Sequence, residues 1–126
     1  MKLEKFELGE AKSILWMNDQ NLKDLNADGH IIGLHSYSHP YQIGDLPYEE
    51  QTVEYLKKFE HLLGIIGTPP QAVSHPCNSY SIETMTILRE LGVRIGFLSG
   101  NHFVLNDPLL QPRIDHMSSL RGFRIN

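Results

Sequence analysis

Apolar positions along the chain follow two rhythms. At spacings of three and four they recur as Leu22 and Leu25, then as Val53, Leu56, Phe59, Leu62 and Leu63, then as Met85, Leu88 and Leu91. That is the pattern of helices that bury one face. Between them lie apolar runs too short for helices: Ile31-Ile32-Gly33-Leu34, Gln71 to His75, Arg94 to Leu98 and Leu110 to Asp115. These read as short buried strands. The punctuation agrees. Asn18 or Asp19 can cap the first helix and Gly29 stops it; Pro47 precedes the second and Gly64 suits its C-terminal end; Ser81 can cap the third, with Gly92 following. Thr68-Pro69-Pro70 breaks the chain before the second strand.

Strands separated by helices imply parallel strands joined by crossovers, so the fold class is α/β. A closed (β/α)8 barrel takes roughly 250 residues, and this chain has 126. The pattern therefore describes either a small open α/β sheet or part of a barrel, in a single domain over residues 1–126. An open parallel edge leaves backbone groups unpaired, and a chain this short struggles to bury both faces of a parallel sheet. A homo-oligomer that covers the gap is expected. The segment Lys2-Leu3-Glu4-Lys5-Phe6-Glu7-Leu8 alternates at strand period and is a candidate to pair with that edge, in its own or a neighbouring subunit.

Composition narrows the partners. The net charge is −4 with 40% apolar residues, and no Lys/Arg cluster offers a nucleic acid an electrostatic footprint. No apolar run approaches the roughly 20 residues of a membrane span. Met1 to Glu10 lacks a signal peptide's apolar region. Cys77 is the single cysteine, so no internal disulfide forms. The expected compartment is cytoplasmic by default. The charges on the 48–63 helix read as a solvated face.

Seven histidines change the picture. His35 and His39 lie four apart, directly after the first apolar run. In an extended strand that spacing spans about 13 Å, too far for one metal ion. In a helix or tight turn the side chains come within about 6 Å. Pro40 disfavours helical geometry at His39. The pair can share a metal only if the strand ends near His35 and the chain curls through Ser36 to Ser38. Such a site sits at the C-terminal end of a parallel strand, where α/β folds place active sites.

Several stretches resemble the polysaccharide deacetylase (NodB-homology) family. His35-Ser36-Tyr37-Ser38-His39, after the lead-in Gly29-His30-Ile31-Ile32-Gly33, is similar to the family's His-Ser/Thr-x-x-His motif. Trp16 and the helix to Asp28 look like the segment before it. Ser74-His75-Pro76-Cys77-Asn78-Ser79-Tyr80 is similar to an Ala-Tyr-Pro-Tyr-Gly-Ser-Tyr strand end, followed by Glu90-Leu91-Gly92-Val93. Pro112-Arg113-Ile114-Asp115 is similar to a Pro-Arg-Ile segment of some members. The resemblance covers Ile14 to Asp115.

That resemblance implies a partial or truncated NodB-like (β/α) barrel. It also implies hydrolysis of N- or O-acetyl groups on sugars with a divalent metal, zinc by preference. His35 and His39 would be metal ligands and Ser36 would support their turn. Cys77 stands where a tyrosine's backbone N–H helps stabilise an oxyanion, and Arg113 would orient an acidic partner. Tyr37 and His75 are candidate substrate contacts. Each has a plainer reading: Tyr37 packed on the histidine turn, His75 as a packing residue, Cys77 as a small rim residue, Arg113 paired with Asp115.

The family's Thr-Phe-Asp-Asp motif has no counterpart, and Met1 to Lys12 contains no aspartate. The expected member is therefore incomplete, without the third ligand and the base. Catalytic zinc normally has three protein ligands plus water, and losing a general base costs about 10²- to 10⁴-fold. His75, Asp45 and Asp115 remain candidates for a third ligand, and no spacing rule selects among them. A metal-dependent carbohydrate deacetylase-like domain of weak or absent activity is the first functional reading. A non-catalytic metal- or sugar-binding remnant of the same fold is the second, and a metal-binding protein of unrelated fold the third.

Overall fold

The computed structural model describes residues 8–100, 106–114 and 116. Among the described residues, the α-helices α1 (Leu8–Leu15), α2 (Asp19–Ala27), α3 (Tyr48–Ile66) and α4 (Ile82–Glu90) accompany the strands β1 (Ala72–Ser74), β2 (Ile95–Ser99) and β3 (Gln111–Arg113). Both strand pairs are parallel, in the order β1-β2-β3. Leu34 extends the sheet beyond β1 through one parallel bridge to Val73. Its N–H donates to the Ala72 carbonyl at 2.8 Å, and its own carbonyl accepts from Ser74 N–H at 2.9 Å. The four strand positions thus follow one another in chain order. That is the winding of a barrel rather than of a doubly wound sheet, whose order reverses at a switch point.

The helix signals act as the local chemistry requires. Asn18 caps α2, accepting from Asn21 N–H at 2.9 Å, and Ser81 caps α4 in a reciprocal box with Thr84. Gly64, however, lies inside α3. The helix continues through Ile65 and Ile66, half-buried, and ends at Gly67, whose φ of 75° is the left-handed stop that glycine accepts without a Cβ penalty. The run Ile31–Leu34 is a strand at Leu34 alone. Ile31 is exposed and Ile32 half-buried, so the apolar run is not the buried element its composition implies. The strand-like alternation of Lys2 to Glu7 lies outside the described residues, and Leu8 begins α1.

The core joins Leu34, Val73 and Leu98 of the sheet to Tyr55 and Leu62 of α3 and to Met85, Ile87 and Leu88 of α4. Burying each such side chain contributes about 1.5–3 kcal/mol. Across it runs a polar clamp. Gln51 of α3, 1% exposed, donates to the Leu46 carbonyl at 2.8 Å and accepts from Thr84 Oγ1 of α4 at 2.5 Å. The clamp fixes the loop that leads from the histidine turn into α3. Strand alternation sends Leu34, Val73 and Leu98 to the helix-covered face. It sends His35, Ser74 and Phe97 to the other, less covered one. Ile14, Leu15, Trp16 and Met17 also lie open to solvent. Among the described residues no helix is long and apolar enough to cross a membrane.

Candidate metal site

The first backbone bridge of the sheet ends at Leu34, and the chain turns at once. Ser36 and His39 both take left-handed conformations, with φ of 54° and 57°. Each costs about 1–2 kcal/mol in a residue with a Cβ, so the turn must be held from outside. Inside it, the Ser36 hydroxyl, 2% exposed, accepts from His39 N–H at 3.1 Å. From α3, the Glu54 carboxylate accepts three more bonds: from Tyr37 N–H at 3.0 Å, Ser38 N–H at 2.8 Å and the Ser38 hydroxyl at 2.6 Å. Glu54 is therefore not part of a plain solvated face. Partial burial pushes its carboxyl up, but the Ser38 hydroxyl, the two amides and nearby Lys57 outweigh it, leaving the group below its ordinary range.

The curl brings the two imidazoles to a ring-centroid separation of 4.8 Å, with an interplanar angle of 56°. Both rings are exposed. His35 Nδ1 lies 2.7 Å from the Ser74 carbonyl at the end of β1. A carbonyl can only accept, so Nδ1 carries the proton and the lone pair of the neutral ring is on Nε2. An imidazole held in this way by a backbone carbonyl is the usual state of a metal-ligating histidine. The pair fits two positions of a divalent metal site. Among the described residues no group of three His, Cys, Asp or Glu side chains comes together to hold an ion. Asp45 sits exposed in the short turn Ile43–Asp45, and Asp115 lies outside the described residues.

His75 lies one residue past the corresponding place on the neighbouring strand, and inside the protein. It is 3% exposed, its ring stacks obliquely on Tyr80 at 5.4 Å, and its Nε2–H donates to the Leu109 carbonyl at 2.8 Å. Its Nδ1 is buried with no hydrogen-bond partner among the described residues. Burial holds this imidazole below its ordinary range. The Leu109 bond and Asp107 work against that shift, and His35 adds to it. The interior position takes His75 away from the surface where a substrate contact or third ligand was expected. The Leu109 carbonyl can reach it because Gly96 has no side chain: a Cβ there would stand 2.2 Å from that oxygen.

The other candidates surround the sheet's C-terminal end. Cys77 is exposed in the turn Pro76–Asn78 after β1, with φ of 50°, and Asn78 follows at 57°. Asn78 bridges to β2, donating to the Ser99 carbonyl at 2.9 Å and accepting from Ser99 N–H at 2.7 Å. Tyr37 is exposed, with Lys57 Nζ 5.6 Å from its ring centroid, a cation–π contact that partly occupies one face. Arg113 ends β3, exposed. Among the described residues it makes no ion pair, and its expected partner Asp115 is not described. A cavity of about 370 Å³ lies beside the histidine turn, lined by Ser38, Pro40, Leu46, Glu50, Val53 and Glu54. Glu54 is the residue that sequence reasoning missed. Its signal was weak, since an acid on an amphipathic helix has the same pattern whether it meets water or a turn.

Comparison with known proteins yields a family and a fold. Residues 8–96 match the family model described as polysaccharide deacetylase. No curated protein gives a significant match. Among solved structures, the chain is similar to the Streptococcus pyogenes deacetylase PplD in complex with acetate. The TM-score is 0.73 at 19% identity, over 94% of this chain and 55% of that one. It is also similar to a mutant, with restored enzymatic activity, of a CE4 family pseudoenzyme, at a TM-score of 0.55 and 20% identity over 60% of this chain and 28% of that one. The chain thus spans about half the length of the first of these. At such identities the likeness establishes the fold alone.

Proposed function

This chain belongs to the polysaccharide deacetylase family, and from that premise we propose a metal-dependent carbohydrate deacetylase-like domain acting on N- or O-acetyl groups of sugars. His35 and His39 hold a divalent ion, zinc by preference because imidazole suits it. The observation that carries the reading is the His35 ring, tethered by Nδ1 to the Ser74 carbonyl and paired with His39 at 4.8 Å. When bound, the ion lowers the pKa of a coordinated water and polarises a carbonyl. Ser36 holds the turn, the Cys77 backbone N–H faces the developing oxyanion, Tyr37 contacts the sugar, and Arg113 orients an acidic group.

A second reading, a non-catalytic metal- or sugar-binding module, draws support from one fact. No carboxylate joins the two histidines among the described residues, so both the third ligand and the base lack a candidate there. One experiment separates the readings. Zinc is titrated into the protein and into a His35→Ala, His39→Ala variant, and acetate release from chito-oligosaccharides is followed in parallel. Wild-type binding that the variant loses is expected, with little turnover. Equal binding by both, or none by either, removes the metal site. Turnover near about 1 s⁻¹ that depends on His35 replaces the second reading with full catalysis.

A further inference from the structure

We propose that Glu54 is the positioning residue of the histidine pair: its carboxylate, by taking three hydrogen bonds from the turn, holds His39 where its ring can share an ion with His35. This rests on the metal-site reading above and adds to it a residue from a different element. His35 needs no such help, because the end of β1 fixes its ring directly at 2.7 Å. His39 has no comparable side-chain anchor among the described contacts; its backbone N–H meets only the Ser36 hydroxyl. Its place therefore depends on the path of Tyr37 and Ser38, and Glu54 takes both of their amides.

The geometry explains why this is a carboxylate. Two successive amides and a hydroxyl converge on one group, so all three partners are donors. A carboxylate accepts all three at once, whereas an amide in its place would take the two N–H bonds on its single oxygen and turn its NH2 to the Ser38 hydroxyl, which can also accept. The charge also strengthens each bond. Glu54 sits in the second turn of α3, a helix anchored by Tyr55 and by the Gln51 clamp. The turn is thus tied to a rigid element rather than to another loop. A metal site whose second ligand is held from a neighbouring helix binds its ion as tightly as that tether allows.

The test uses the full chain with zinc alone as probe. Glu54→Ala removes all three bonds, and Glu54→Asp keeps the charge but shortens the reach. Both are expected to weaken zinc binding about 10- to 100-fold, the usual cost of losing an outer partner of a metal ligand. Glu49→Gln, on the first turn of the same helix, is expected to bind as wild type does. Should Glu54→Asp or Glu49→Gln behave contrary to this, so that binding follows charge alone, positioning is overturned. A second measurement needs no metal. In the zinc-free protein, nuclear Overhauser contacts between the His35 and His39 rings are expected in wild type and absent in Glu54→Ala, with far-UV circular dichroism unchanged. Ring contacts that persist in Glu54→Ala also overturn it. If wild type binds no zinc, the functional reading fails while the ring contacts still decide the role of Glu54.

Discussion

His35 and His75 lie just past the paired residues of two adjacent parallel strand positions, one and two residues on, and the protein treats them oppositely. Leu34 pairs with Val73 and both are 1% exposed. His35 comes one residue after Leu34, so alternation turns it to the open face; His75 comes two residues after Val73 and returns to the covered one. The first is exposed, tethered by Nδ1, with Nε2 outward. The second is buried, tethered by Nε2, with Nδ1 enclosed. One residue of offset converts the same side chain from a candidate ligand into a strut between β1 and the start of β3. The lesson is that parity along the strand, not proximity to the site, decides whether a strand-end histidine here is exposed or interior.

The sharpest way to break this comparison is to remove the strut's socket. Gly96→Ala drives a methyl against the Leu109 carbonyl that His75 holds. The clash is with backbone and cannot be relieved by a rotamer, so urea denaturation is expected to show a loss of about 3 kcal/mol, at the upper end for overpacking. A loss under about 0.5 kcal/mol would mean the two strands do not close as described.

A smaller effect sharpens the electrostatic half of the contrast. Burial holds His75 neutral in the folded protein, so the unfolded chain takes up its proton first. Stability on this account is complete above the unfolded value of about 6.5 and falls as the pH drops below it. His75→Gln keeps a donor for the Leu109 carbonyl and cannot titrate. Midpoints of urea unfolding at pH 7.5 and 5.5 should differ less in the variant than in wild type. Glu54 does not confuse this window. Its carboxyl is held below the ordinary carboxylate range, so its contribution is present above about pH 4.3 and is lost only on further acidification. An unchanged difference in His75→Gln would assign the acid sensitivity elsewhere.

The smallest expected effect on stability belongs to the exposed pair. Replacing both His35 and His39 by alanine removes one bond to the Ser74 carbonyl and no buried packing. Unfolding should change by less than about 1 kcal/mol while zinc binding disappears. A larger loss would make the pair part of the fold's scaffold and erase the distinction from His75.

Much of the fold was legible because its signals are local. Asn18 and Ser81 cap their helices through bonds that span three residues, and the curl that a shared metal would need is the one Ser36 and His39 adopt. The end of α3 was misread at Gly64 because two glycines three apart compete, and the half-buried Ile65 and Ile66 between them keep the helix going to Gly67. The Ile31–Leu34 run was misread because composition cannot say whether a neighbouring strand exists to pair with all of it. By itself, then, the sequence determined the α/β alternation and the helix caps, each set by backbone geometry within a few residues, and made the closeness of His35 and His39 conditional on a curl at the strand end. Only the tertiary structure decided which ring nitrogen of His35 is free, that His75 is interior, and that Glu54 binds the turn. Those three facts depend on groups 15 or more residues apart in the chain, brought together by the register of parallel strands and the seat of α3 on them, and no local pattern encodes such a meeting.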